Sequence, residues 1–300
     1  MSLSEGAVPS AGQIWWYAIR PRTLTMSVVP VLVGAVLAWH EAHLFRLLPF
    51  VAALVSALAI QIATNLLNDA SDGESGLDRP GRLGPPRVTA QGWASAAEVR
   101  HAAMASFFVA AVAGVYCIQA GGLPILAIGL ASLSAGWAYS RGPAPIAASA
   151  AGEVFVLVFF GIAAVTGTAW LMSEQPSLAA FPAGLLIGLP SSAVLLVNNH
   201  RDRDADTRSG RRTLAIVLGI DGTRRLFGMI LVLAALLGPA VGIALDTGWT
   251  ALTMLALPQA MRLSAEMARL PIGPELNGLL ARTAGYQVVL AGLLCLGLTL

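Results

Sequence analysis

Apolar residues in this chain come in long blocks divided by short polar breaks. The blocks run near the roughly 20 residues that a helix needs to cross a hydrocarbon core about 30 Å thick. They predict nine spans, at Leu24–Trp39, Leu47–Leu67, Ala96–Ala120, Leu123–Tyr139, Ile146–Met172, Leu178–Val197, Leu226–Leu245, Trp249–Met267 and Leu276–Leu300. The eighth is the least regular, because Pro258, Arg262 and Glu266 interrupt it. It reads as a kinked or partly interfacial helix. The expected fold class is therefore an all-α integral membrane protein, a single membrane domain over residues 1–300 built as a bundle of about nine transmembrane helices.

Composition supports this pattern. Hydrophobic residues make up 56% of the chain and charged residues 11%, against roughly 25% charged in a soluble domain. Residues 1–15 are polar and small, with no basic stretch ahead of a short apolar run, so no cleavable secretory signal is expected. Cys117 and Cys295 both fall inside apolar blocks and read as small core residues, not as a disulfide or metal ligands.

Charge placement orients the bundle. All 18 basic residues are arginines. Arg20 and Arg22 precede the first span, Arg79, Arg82, Arg87 and Arg100 lie between the second and third, and Arg141 lies between the fourth and fifth. The sixth and seventh are joined by a segment carrying Arg201, Arg203, Arg208, Arg211, Arg212, Arg224 and Arg225, whereas the alternate connections hold only Arg46. The positive-inside rule then puts the N-terminus and both long connections in the cytoplasm. The expected location is the cell inner membrane, multi-pass, with the C-terminus outside.

Those two long connections, residues 68–95 and 198–223, concentrate the acids as well. Asn68 and Asp72 are four apart, and so are Asn198, Asp202 and Asp206. Residues at that spacing share one helical face, so each set points together from the end of a helix. The matched copies suggest a duplicated pair of helices around one site. Carboxylate and amide oxygens are hard ligands suited to Mg²⁺, which is normally held by one or two carboxylates together with substrate phosphates. Arginines among them bind phosphate oxygens bidentately. A single charged loop at a membrane surface is commonly just solvated, and its arginines only anchor topology. Two matched loops on one face, each launched from asparagines at a helix end, favour a diphosphate site instead.

At these residues the sequence resembles the UbiA superfamily of membrane prenyltransferases. The superfamily motif N-x-x-x-D-x-x-x-D begins at Asn68 and Asp72, with Gly76 where the last aspartate is expected, and D-x-x-x-D is intact at Asp202 and Asp206. Asp78, then Arg82-Leu83-Gly84-Pro85-Pro86-Arg87, is similar to the branch that prenylates 1,4-dihydroxy-2-naphthoate in menaquinone synthesis. Arg20-Pro21-Arg22-Thr23-Leu24, Gly152-Glu153, Asn198-Asn199-His200-Arg201-Asp202 and Gly210-Arg211-Arg212-Thr213 extend the likeness, which fades beyond about residue 225. Ala70 and the stretch Ala144–Ala151 depart from the branch pattern, which leaves another aromatic acceptor open.

The resemblance implies a cytoplasmic-side cavity and Mg²⁺-dependent transfer of a polyprenyl group from an allylic diphosphate to an aromatic ring. Asn68, Asp72 and Asp78 would hold one Mg²⁺, and Asp202 with Asp206 a second. Arg82, Arg87, Arg211 and Arg212 would bind diphosphate, helped by Asn198. Arg141 and Tyr139 would approach the diphosphate and the allylic cation, although a topological anchor and an interfacial aromatic explain them almost as well. Glu153, the one acid within a span, either contacts the acceptor or pairs structurally. Asp69 and Asp204 lie off the shared face and read equally as solvated neighbours. The partners implied are polyprenyl diphosphate, the aromatic acceptor and membrane lipid, with no nucleic acid and no obligate protein partner. Three rivals stand beside this reading: a 4-hydroxybenzoate prenyltransferase of the ubiquinone pathway, a membrane transporter, and a lipid-binding scaffold without activity.

Overall fold

The computed structural model of the chain describes residues 9–74 and 83–300, and among them no strand occurs. A short helix, α1 (Ala11–Ile19), comes first. Ser10 caps it through a reciprocal pair with Gln13, whose side chain accepts the Ser10 N–H at 2.9 Å, so two otherwise orphaned donors are satisfied. Trp16 is 62% exposed on this helix, and Tyr17 packs on Trp93 with ring centroids 5.8 Å apart. Exposed tryptophan ahead of the first span suits a membrane–water interface.

Next come α2 (Pro21–Ala42), α3 (Leu47–Glu74), α4 (Ala96–Ser140), α5 (Gly152–Ser173), α6 (Ala180–Arg208), α7 (Leu214–Leu245), the shorter α8 (Leu257–Arg269) and α9 (Leu276–Thr299). All but α8 are long and apolar enough to cross a membrane. Helix α4 has 45 residues, about 67 Å at 1.5 Å per residue and so twice a hydrocarbon thickness. Its path breaks at Gly122, where φ is 70° and ψ −152°, a conformation that glycine takes without a Cβ penalty. The expected third and fourth spans are therefore the two arms of α4.

The irregular eighth segment is broken, in keeping with the kinked helix that Pro258, Arg262 and Glu266 lead one to expect. Trp249–Ala256 winds as a 3-10 helix and only Leu257–Arg269 continues as α-helix. Among the described residues seven helices are long and apolar enough to cross, α4 is long enough to do so twice, and this further segment is helical but broken. The polar residues that spoil its apolar run have a structural use: Glu266 is ion-paired with Arg282 of α9. The two long charged connections also differ from plain loops. Asn68–Glu74 and Asn198–Arg208 are the last turns of α3 and α6, because a helix leaving the membrane keeps its backbone bonds while its side chains meet water.

Helix α6 is the centre of the bundle: 78% of its apolar window is buried, against 17% for α4. Its approach to α5 depends on glycine. A Cβ on Gly161 would fall 2.5 Å from Gly188 Cα and against Gly184 O, and one on Gly188 would fall 2.6 Å from Leu157 O. Small residues let membrane helices come this close, and α5 accommodates the crossing with a π-turn at Val158–Ala163. Gly161→Leu is expected to cost about 1–3 kcal/mol through overpacking. It should lower the thermal midpoint in detergent, with Gly161→Ala falling less. An unchanged midpoint for Gly161→Leu would contradict this contact.

Candidate active site

A cavity of about 1080 Å³ opens beside the ends of α3 and α6. Along α3 its wall is Ala53, Ser56, Ala57, Ile60, Thr64, Asn68 and Asp72, the spacing of a single helical face. From Ala53 to Asp72 is about 28 Å along the axis, so the cavity is a trough through most of a hydrocarbon thickness. Phe155, Phe159 and Phe160 of α5 and Ile125 and Ile128 of α4 add apolar wall. Its charged residues are gathered at one end: Arg20, Asp72, Arg87, Arg201, Asp202, Asp204, Asp206, Arg208 and Arg211.

At that end the two acidic clusters meet through one side chain. Arg211 is ion-paired with Asp72 Oδ1 through one terminal nitrogen and with Asp206 Oδ1 at 3.3 Å through the other. Asp72 is 4% exposed and also accepts from Arg87 Nη2 at 3.1 Å. Burial alone would weaken the Arg211 cation, but the carboxylates of Asp72 and Asp206 outweigh it and raise its pKa. Two acidic side chains 134 positions apart in sequence thus share one guanidinium.

The second cluster has its own buried cation. Arg201 is 1% exposed and donates to Asp202 at 2.8 and 2.6 Å, to Asn198 Oδ1 at 2.8 Å and to Asn277 Oδ1 at 2.6 Å. Asn277, at the start of α9, donates in turn to Leu83 O at 2.7 Å. It ties the segment after α3 to the end of α6. Neither Arg201 nor Asn277 is marked as functional by the spacing of the acidic motifs, and Asn277 lies beyond the stretch where the family likeness is legible. Arg20 joins the lining from the junction of α1 and α2, where its φ is 53°; its place beside Pro21 in a matched string was the available signal.

Other expected residues are placed as follows. Asn68 lines the cavity and donates to Ser140 Oγ at 3.3 Å. Tyr139 lines it from the end of α4. Arg141 borders a smaller adjoining pocket and is ion-paired with Glu74 at 2.9 Å. Glu153 does not line the cavity; it is 3% exposed and accepts from Asn199 Nδ2 at 2.9 Å, so it stands behind Asn199, which does. Arg212 is exposed and outside both linings, and among the described residues its main-chain N–H donates to Ala148 O at 2.8 Å. Asp78 and Arg82 lie outside the described residues.

Of the two even readings of Asp69, the structure rules out a solvated neighbour. It is 1% exposed and accepts from the N–H groups of Val88 and Thr89, both at 3.2 Å, and from the Thr89 hydroxyl at 2.5 Å. It pins the returning chain so that Arg87 reaches Asp72. Asp204 is exposed and lines the cavity mouth.

Among the described residues no three His, Cys, Asp or Glu side chains stand close enough to hold a metal ion. The donor set nevertheless fits a hard divalent cation: Asn68 and Asp72 from α3 face Asn198, Asp202 and Asp206 from α6 across one cavity. The carboxylates of Asp72, Asp202 and Asp206 are each matched to guanidinium. Positive charge is therefore already required at the point where the clusters converge.

Residues 27–270 match the UbiA prenyltransferase family. The chain is 34% identical to a 1,4-dihydroxy-2-naphthoate octaprenyltransferase of Mycobacterium leprae over 92% of its length and 93% of the relative's. It is 37% identical to the enzyme of that name from Bacillus subtilis, covering 71% of this chain and 68% of that one. A UbiA homolog from Archaeoglobus fulgidus, solved with GPP and Mg²⁺ bound, superposes with a TM-score of 0.65 at 12% identity, over 93% of this chain and 99% of that one.

Proposed function

The chain belongs to the UbiA prenyltransferase family, and from that premise we propose that it transfers a polyprenyl group from an allylic diphosphate to 1,4-dihydroxy-2-naphthoate in menaquinone synthesis. The observation that carries this reading is a trough that is charged at one end and apolar along the rest. A diphosphate with a long hydrocarbon tail has the same polarity pattern. The names of the relatives at 34% and 37% identity support the acceptor. The arginine distribution along the sequence supports a charged end facing the cytoplasm of a cell inner membrane.

In this reading Asn68, Asp72 and Asp78 hold one Mg²⁺ and Asp202 and Asp206 a second, with Asn198 assisting. Bound there, Mg²⁺ supplies charge that stabilises the departing diphosphate. Arg87 and Arg211 are placed to transfer their hydrogen bonds from Asp72 and Asp206 to diphosphate oxygens, and the family resemblance adds Arg82 and Arg212 to the diphosphate-binding set. Donors aimed at developing charge in a site shielded from water are worth more than the same groups in water. The allylic C–O bond breaks with diphosphate taking the electron pair, and a C–C bond forms from a carbon of the electron-rich ring to the allylic cation. The ring regains aromaticity by releasing a proton or, at the carboxyl-bearing carbon, CO₂. Tyr139 presents its ring to the allylic cation, Arg141 holds Glu74 at the entrance, and Glu153 orients Asn199 towards the acceptor.

The gathering of charge at one end disfavours a transporter, which needs a polar route through the bundle. The test is to incubate membranes containing the protein with Mg²⁺ and a polyprenyl diphosphate, offer both 1,4-dihydroxy-2-naphthoate and 4-hydroxybenzoate, and identify the product by mass. A prenylated 1,4-dihydroxynaphthalene, with or without its carboxyl group and lost on chelation, is the expected result. Prenylated benzoate alone overturns the acceptor assignment, and no product from either overturns the reaction.

A further inference from the structure

In the apolar part of the trough one patch is polar but uncharged. Thr23 and Ser27 stand a turn apart on α2, Gln61 and Asn65 a turn apart on α3, and all four line the cavity. The Thr23 hydroxyl donates to Arg20 O at 2.9 Å. It accepts from Asn65 Nδ2 at 3.1 Å and from Gln61 Nε2 at 3.4 Å. Two oxygens are left over. Gln61 Oε1 and Ser27 Oγ are buried and have no hydrogen-bond partner among the described residues; Gln61 is 6% exposed and Ser27 2%. The patch lies just inward of the acidic clusters. Asn65 comes three residues, about 5 Å along the axis, before Asn68. Met26, beside Ser27, shares a buried cluster with Val156 of α5 and Val194 of α6. Val194 is one turn before Asn198, so the Ser27 level of α2 meets α6 about 6 Å inward of Asn198.

A buried oxygen without a donor is unfavourable and asks for an explanation. A prenyl tail is hydrocarbon and brings no donor to it. A hydroxylated aromatic ring does, and a ring that attacks the carbon next to diphosphate lies at this depth. On the reading of this cavity as a prenyltransferase site, we propose that Gln61 and Ser27 receive the ring hydroxyls of the aromatic acceptor. A turn about the last torsion of Gln61, or the first of Ser27, presents its oxygen to the cavity that both line. Gln61 Oε1 accepts one phenolic O–H, which leaves more electron density on the ring carbon that attacks. The Ser27 hydroxyl, donor and acceptor both, takes the second. Thr23, fixed by Asn65, holds the Gln61 amide in place. Two oxygens suit an acceptor with two ring hydroxyls better than a monohydroxy ring such as 4-hydroxybenzoate.

The test uses the full-length protein in nanodiscs and two acceptors, 1,4-dihydroxy-2-naphthoate and 1-hydroxy-2-naphthoate, which lacks one ring hydroxyl. Each is offered with Mg²⁺ and a polyprenyl diphosphate to the wild type, Gln61→Met, Ser27→Ala and Gln287→Met. Gln287 is the comparator, since its Oε1 is also buried without a partner but its amide is bonded to Ile187 and Ser191 of α6, outside the cavity. Wild type is expected to prefer the dihydroxy acceptor in kcat/KM. The change in that preference between proteins cancels the difference in ring reactivity. In the variant that has lost the partner of the missing hydroxyl, the preference should fall by about tenfold. The other cavity variant should lose about tenfold in kcat/KM for both acceptors. Neither should change KM for polyprenyl diphosphate, and Gln287→Met should keep the wild-type preference. Thermal midpoints with acceptor alone give a second readout that needs no turnover, and the dihydroxy acceptor should raise the wild-type midpoint more than that of either cavity variant. A rise of that kind without any product from the wild type overturns the reaction and keeps the ring site. A preference and a midpoint rise retained in both cavity variants, or lost equally in Gln287→Met, overturns the ring site and keeps the reaction.

Discussion

Asp72→Asn and Asp202→Asn, each made alone, are expected to lower the rate of prenyl transfer by a factor of roughly 10³ or more, without unfolding the protein. Asparagine keeps the shape of the side chain but only one acceptor oxygen, so of the two guanidinium bonds that each aspartate accepts one survives without its charge and the other is lost. Alanine would test a different thing, since it would leave buried guanidinium groups facing nothing, a loss of structure and chemistry together. The measurement is product formation at saturating Mg²⁺ and polyprenyl diphosphate, with size-exclusion profiles and thermal midpoints as the folding control. Activity within tenfold of wild type in a folded Asp72→Asn or Asp202→Asn protein would remove the two-cluster mechanism. Loss in one variant alone would mean that a single cluster does the work.

Arg211→Met should act on stability and activity in opposite ways with respect to the metal. In the metal-free protein Arg211 is the charge between the buried carboxylates of Asp72 and Asp206. Removing one partner of such a group leaves uncompensated charge, which costs about 3 kcal/mol when the site is well buried. The Arg211 side chain is 21% exposed, so solvent will reduce that figure. Mg²⁺ can supply the missing positive charge. The variant's thermal midpoint is therefore expected to fall in chelator and to recover with added Mg²⁺ more than the wild type's does. Turnover should nevertheless stay down by roughly 10²-fold, because the donor aimed at the diphosphate is gone. Equal Mg²⁺ responses in variant and wild type would show that Arg211 does not stand in for the cation.

Much of the architecture is legible in the chain because it is local. An apolar block near membrane length becomes a spanning helix wherever it sits, and Asn68 with Asp72, or Asn198 with Asp202 and Asp206, share a face by helical period alone. The irregular places have equally local causes. The segment at residues 249–269 has nearly enough apolar residues to cross, but Arg262 and Glu266 divert it into a broken helix with an ion pair to α9. For Asp69 the period left a solvated neighbour and a role about even, because it places the residue off the shared face and says nothing of what packs there. In the fold that position is where Val88 and Thr89 return.

By itself, then, the sequence determined the two charged ends: which residues they contain and which face of each helix carries them. Only the tertiary structure decided that the ends form one site. Arg211 joins Asp72 to Asp206, Asn277 joins Arg201 to Leu83, and Glu153 reaches Asn199 because Gly161 and Gly188 let α5 and α6 nearly touch. The reason is physical. Helical period and hydropathy are properties of one segment and fix what faces outward from it. The partner met there depends on how closely whole helices pack, a property of pairs of distant segments that no single stretch of sequence contains.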